Sequence, residues 1–183
     1  AYETRASGIP WNFSPVLDVG RNPLWSRTFE TLGEDPYLVS TMGSAIVKGY
    51  QGHNPLTIDS LHVLACMKHF VGYSASLSGR DRTPAWIPEK YMMELYLPPF
   101  QKAVESGAQT VMINSGSVNG VPGHINANLI QKTLKDSWGF KGFSVSDWED
   151  FNMLHTVHRV APDLKTAYEK AFNAGVDMSL SLI

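Results

Sequence analysis

Apolar residues follow two patterns along these 183 residues. Some runs are apolar at nearly every position, and other, longer segments carry apolar residues at three- and four-residue spacing. The first pattern predicts strands at 11–17, 62–67, 110–114, 143–146 and 176–180, apolar as strands covered on both faces must be. The second predicts helices over 36–50, 89–106, 128–137 and 164–174. Asn126 or Asn128 can cap the start of the third helix, and Gly139 follows its end, where a left-handed residue is wanted. Strands alternating with helices form parallel sheets through right-handed crossovers.

Strand starts lie roughly 50, 50, 30 and 30 residues apart, with the long connections after strands. The two largest are 18–34 and 72–88. That asymmetry predicts an α/β fold of the (β/α)8 TIM type, whose upper face carries the site. A complete barrel takes about 250 residues, and only about five βα units are legible. The expectation is therefore a partial barrel, a piece of a larger domain.

Charge narrows the function. The 15 basic and 17 acidic residues are scattered, leaving no basic face for a nucleic-acid backbone. No apolar stretch is long enough to span a bilayer, so no membrane partner is expected, and the opening residues lack the features of a secretion signal. Cys66 sits in an apolar run, and a small buried side chain is the expected role.

Polar residues gather where the strands end: Asp18, then Lys68-His69, Asn114-Ser115 and Asp147. In a barrel those ends converge on one pocket. A lone aspartate after a strand also serves as a helix cap. Asp147, however, is followed by Trp148, Glu149 and Asp150, and an exposed ring beside carboxylates suits the apolar face and hydroxyls of a sugar. Trp148 as a core aromatic is the plainer alternative. Lys68 and His69 directly follow a buried run, and a buried ammonium needs a partner, unless the pair emerges into solvent. Arg27 lies in a loop rich in proline and aromatics, where a fixed guanidinium can hold two vicinal hydroxyls or a carboxylate. Arg21 competes for that role.

No metal is expected. Of His53, His62, His69, His124, His155 and His158, only the last two are closely spaced, in a segment that reads as a solvated loop. No glycine-rich nucleotide loop occurs, so no cofactor is expected, and the nucleophile-elbow spacing is absent around Ser115.

Four strings together resemble the family-3 glycoside hydrolases. They are Trp11-Asn12-Phe13-Ser14-Pro15-Val16-Leu17-Asp18-Val19, Arg27-Thr28-Phe29-Glu30-Thr31-Leu32-Gly33-Glu34-Asp35-Pro36, Lys68-His69-Phe70-Val71-Gly72, and Gly139-Phe140-Lys141-Gly142-Phe143-Ser144-Val145-Ser146-Asp147-Trp148. In order, they cover nearly the whole chain. The resemblance implies roughly strands 3 to 7 of a catalytic barrel over residues 1–183. It puts the nucleophile of a retaining β-glucosidase on Asp147 and substrate contacts on Arg27, in preference to Arg21, and on Lys68 and His69, beside the sugar-facing ring already expected of Trp148.

It further implies a β-glucoside or oligosaccharide substrate, a following α/β sandwich domain that supplies the acid/base, and a periplasmic or secreted location. Ser115 stands where many relatives place a tyrosine. The N-acetylglucosaminidase branch resembles Lys-His-Phe-Pro-Gly-His-Gly, and its proline and loop histidine are absent, which favours the glucosidase branch. The alternatives are a β-xylosidase or other exo-glycosidase of the family, and a non-catalytic carbohydrate-binding relative. A barrel acting on phosphorylated metabolites would need a glycine-rich turn after the late strands, and Ser179 to Ile183 shows none.

Overall fold

The computed structural model describes residues 1–52, 54 and 57–181. His53 among the histidines, and the end of the stretch expected to lack a phosphate turn (Leu182 and Ile183), lie outside the described residues. A short helix α1 (Tyr2–Ala6) leads into strand β1 (Trp11–Asn12). Four more strands complete a parallel sheet: β2 (Leu64–Phe70), β3 (Thr110–Ile113), β6 (Phe143–Trp148) and β7 (Met178–Leu180). Their order is β1-β2-β3-β6-β7, a curled half-barrel. A two-stranded hairpin, β4 (Ser117–Val118) with β5 (Val121–Pro122), lies above the end of β3.

The two-residue repeat of a strand sorts the core. Ala65, Met67, Val111 and Ile113 pack under the helices with Leu17, Val39, Val47 and Phe100. Cys66, Met112 and Val145 point the other way and meet Trp11, Phe13 and Leu180 inside the half-barrel. Cys66 is thus a packing residue; burial pushes its thiol up to about 12. The same repeat carries the inner face from Val145 to Asp147 at the end of β6.

Helix α2 (Pro36–Gln51) starts where Asp35 accepts the amides of Tyr37 and Leu38, a cap that stabilises by about 1 kcal/mol. Val39, Gly43 and Val47 form its buried stripe. The expected helix over 89–106 is a composite of α3 (Glu89–Tyr91), a wide π turn (Met92–Tyr96) and α4 (Leu97–Glu105). The Asn128–Ser137 segment is a π-helix, an unexpected widening; Asn126 accepts the Leu129 amide near its start, and Gly139 has φ +68 just beyond it. Gly142 is required by close approach, since a Cβ there would lie 1.9 Å from the Gln109 carbonyl. Helix α6 (Leu164–Asn173) is capped by Asp163.

Three expectations need correction. The first strand is only Trp11–Asn12, with a single further bridge from Val16 to Lys68, because Pro15 has no N–H to give the ladder. The second runs on to Phe70, so Lys68 and His69 belong to its last turn of backbone and do not follow it. His155 and His158 do not form a solvated loop: an unforeseen helix α5 (Asp150–Thr156) carries His155, and His158 tucks its Nε2 3.2 Å from the Ser115 carbonyl.

Candidate active site

The upper ends of β1, β2, β3 and β6 bring one polar cluster together. Asp18, fully buried, uses Oδ2 to accept the His69 backbone amide at 3.0 Å and to meet its Nδ1 at 2.8 Å. The far side of the ring, Nε2, has no hydrogen-bond partner and lies 3.6 Å from Asp147 Oδ2. Tyr73 stacks edge-on to His69 with ring centroids 5.0 Å apart. Its hydroxyl bonds the Asp81 carboxylate, and burial raises its pKa.

Asp147 is the centre of this group. Oδ1 accepts the Trp148 amide at 2.6 Å, and the Ser115 hydroxyl lies 3.4 Å from Oδ2. Burial works against its charge, but the Trp148 amide, His69, Arg82 and Arg27 outweigh it and hold the carboxyl below the usual carboxylate range. Trp148 itself is half exposed at the rim, so it is not a core aromatic.

Arg27 is fixed by Glu30, its Nε and Nη2 donating to the two carboxylate oxygens at 2.6 and 2.9 Å, and it lies 5.6 Å over the Tyr73 ring. That bond raises the guanidinium further and, with Arg27, Lys68 and His69 nearby, lowers Glu30. Lys68 is half buried and has no ion pair among the described residues. Arg21 is exposed and lies toward Tyr96, away from the cluster.

Sequence reading missed Glu30, Arg82 and the real place of Asp150. Glu30 had a signal, the three-residue spacing from Arg27. Asp150 reads as one of a run of rim carboxylates, yet it is buried in the first turn of α5. Burial pushes it up to about 7, with Asp147 and Asp81 adding to the rise against the Ser115 hydroxyl and Arg82. His124, 3.6 Å away, is lowered to about 3 by burial and stays neutral, so that contact is not an ion pair. A carboxyl raised toward neutrality near Asp147 has the profile of an acid/base candidate. Its burial excludes it, because a general acid must reach the leaving oxygen. A cavity of about 390 Å³ near Gln109, Phe140 and Lys141 opens at the opposite ends of β3 and β6 and holds no carboxylate or histidine.

The chain that carries this strand-end cluster matches a known family along its length. The model of the glycosyl hydrolase family 3 N terminal domain matches residues 1–182. The chain belongs to glycoside hydrolase family 3. Among its family-3 relatives is the lysosomal beta glucosidase of Dictyostelium discoideum, 46% identical over 97% of this chain and 22% of that protein. A beta-xylosidase of Formosa agariphila is 43% identical over 98% of this chain and 25% of its own length. A solved b-glucosidase from Erythrobacter marinus superposes with a TM-score of 0.97 at 37% identity, covering 99% of this chain and 24% of that one. This family-3 chain therefore spans about a quarter of the length of the relatives it matches.

Proposed function

We propose that the protein containing this chain is a retaining glycosidase that removes terminal β-D-glucosyl residues, with Asp147 as nucleophile. The observation that carries the reading is the Asp147 carboxylate itself: at the inner end of β6, held ionised, and facing the open Nε2 of His69 beside an exposed indole. Asp147 attacks the anomeric carbon as the bond to the aglycone oxygen breaks, and a second carboxylic acid gives that oxygen its proton. The same group then takes a proton from water, whose oxygen displaces Asp147 and frees the sugar. Lys68 and His69 Nε2 bind hydroxyls of the reacting sugar, joined by the guanidinium edge of Arg27 that Glu30 does not use, while Trp148 covers an apolar sugar face. The acid/base is proposed to come from a following domain, since Asp150 is buried and Asp81 is bonded to Tyr73. A β-xylosidase is the second reading, supported by the 43% identity to a protein of that name.

The test is to treat the full-length enzyme with a 2-deoxy-2-fluoro β-glucoside and map the labelled peptide. Label on Asp147 is expected, and label elsewhere removes the assignment. Rates on aryl β-glucoside and β-xyloside then separate the two sugars.

A further inference from the structure

One cation in the cluster belongs to none of the motifs. Arg82 sits in the 72–88 loop with φ +57, a left-handed backbone that a bulky residue adopts at a cost and keeps only where its surroundings demand it. Its Nη1 donates to Asp150 Oδ1 at 2.9 Å and to the Trp148 carbonyl at 2.9 Å, and lies 3.0 Å from Met153 Sδ. Its Nη2 lies 3.7 Å from Asp147 Oδ1. One guanidinium therefore bonds the last backbone carbonyl of β6 and the buried carboxyl of the next helix, and comes within ion-pair distance of the Asp147 carboxylate.

We propose that Arg82 is a positioning residue for the nucleophile, anchored on Asp150 and the Trp148 carbonyl so that its free edge keeps Asp147 oriented and ionised. The inference rests on the nucleophile assignment made above. Oδ1 of Asp147 also accepts the Trp148 amide at 2.6 Å, and the Ser115 hydroxyl and His69 Nε2 lie 3.4 and 3.6 Å from Oδ2, so Arg82 acts beside these groups as the guanidinium on the Oδ1 side. The groups facing Asp147 are His69 on β2, Arg82 and Arg27 on the two long loops, His124 beside the hairpin and Asp150 on α5. Of these, Arg82 is the only cation with a nitrogen within 4 Å of Asp147 apart from the imidazole, among the described residues. Asp81 Oδ2 lies 4.0 Å from Arg82 Nε and Asp150 Oδ1 lies 2.9 Å from Nη1, so the guanidinium is shared among three carboxyl groups and Nη2 is the nitrogen that faces Asp147.

The test uses full-length enzyme and two readouts against pH: kcat/KM on an aryl glycoside, and the rate of covalent inactivation by the 2-fluoro glycoside. Arg82→Met is expected to raise the acid limb by about one pH unit or more, because an opposite charge within this range lowers a carboxylate by that much. It should slow inactivation on the order of 100-fold at neutral pH, as misplacement of a reacting group does. Arg82→Lys should recover part of both. An Arg82→Met enzyme within twofold of wild type in both readouts, or one that is slow with an unmoved acid limb, overturns the inference. Should Arg82→Met not fold, Arg82→Met/Asp150→Asn leaves no unpaired buried carboxylate and takes the same measurements, with Arg82→Lys beside it. Asp147→Asn is the control. If that variant keeps wild-type turnover, the nucleophile assignment falls and takes this inference with it; if it is inert while the Arg82 variants are unaffected, only this inference falls.

Discussion

Asp18 grips His69 twice with one oxygen, through the backbone amide at 3.0 Å and the ring Nδ1 at 2.8 Å. Both side chains are buried, so the pair fixes ring plane and ring position together. This bond leaves Nε2 aimed at the space beside Asp147. Asp18→Ala strips two buried donors of their acceptor and is expected to lower stability by about 1–3 kcal/mol. Asp18→Asn keeps the volume and should fold better, yet still lower kcat/KM, because an amide does not enforce the same ring tautomer. Thermal melts and kinetics on the full-length enzyme check both, and wild-type kinetics for Asp18→Asn would show that His69 needs no such anchor.

Lys68, His69 and Arg27 are expected to be unequal. Lys68→Ala and His69→Ala should each remove roughly 2–4 kcal/mol of transition-state stabilisation, read from kcat/KM, as loss of one preorganised donor does. Arg27 shares its fork with Glu30, so Arg27→Ala also leaves Glu30 without its partner. In a double-mutant cycle the two changes should be far from additive, with Glu30→Gln alone already impairing Arg27. Additive losses would mean that Glu30 does not position the guanidinium.

The strand-end gathering was legible because parallel strands buried on both faces announce themselves as apolar runs, and polar residues in or just beyond the end of a run mark its upper end. Asp18, Lys68-His69, Asn114-Ser115 and Asp147 all surfaced in that way. Arg82 did not, because its partners lie 66 and 68 residues away in the chain and no local period links them. Helix α5 was hidden for a different reason. The run from Asp147 to Asp150 has the composition of a polar rim, and the turn into the helix is made by Glu149 at φ +63, which its side chain does not advertise. The π-widening of Asn128–Ser137 was equally silent, since its apolar spacing is compatible with an ordinary helix.

Asp177 predicts a pH dependence of stability. Burial opposes its charge, but Lys135 at 2.8 Å and the backbone amide and hydroxyl of Ser144 at 2.8 Å together outweigh it and hold the carboxyl low. A carboxylate depressed in the fold stabilises above its unfolded pKa of about 4 and loses that contribution as pH falls through the folded value. Asp177→Asn should cost about 1–2 kcal/mol at pH 7, discounted because the side chain is partly exposed, and the gap to wild type should close below about pH 4. Denaturant melts at several pH values check this, and a gap that persists in acid would assign the loss to packing.

Residues 1–183 expressed alone are expected to hydrolyse no glycoside that needs protonation of its leaving group. Asp147 is present, but the one carboxyl raised toward neutrality near it among the described residues, Asp150, is buried in the first turn of α5, and the loop carboxylate Asp81 is engaged by Tyr73. Without an acid in reach, only aryl glycosides with very good leaving groups remain. The outer strands β1 and β7 each have one unpaired edge among the described residues, so the piece should also associate through them. The measurement is turnover by soluble fragment and full-length enzyme on a series of aryl β-glucosides of rising leaving-group pKa. The fragment should be inert on the poor leaving groups at every pH. Turnover comparable with the full-length enzyme would place the acid within these residues, make Asp81 the first candidate, and remove the argument for a second domain in the chemistry.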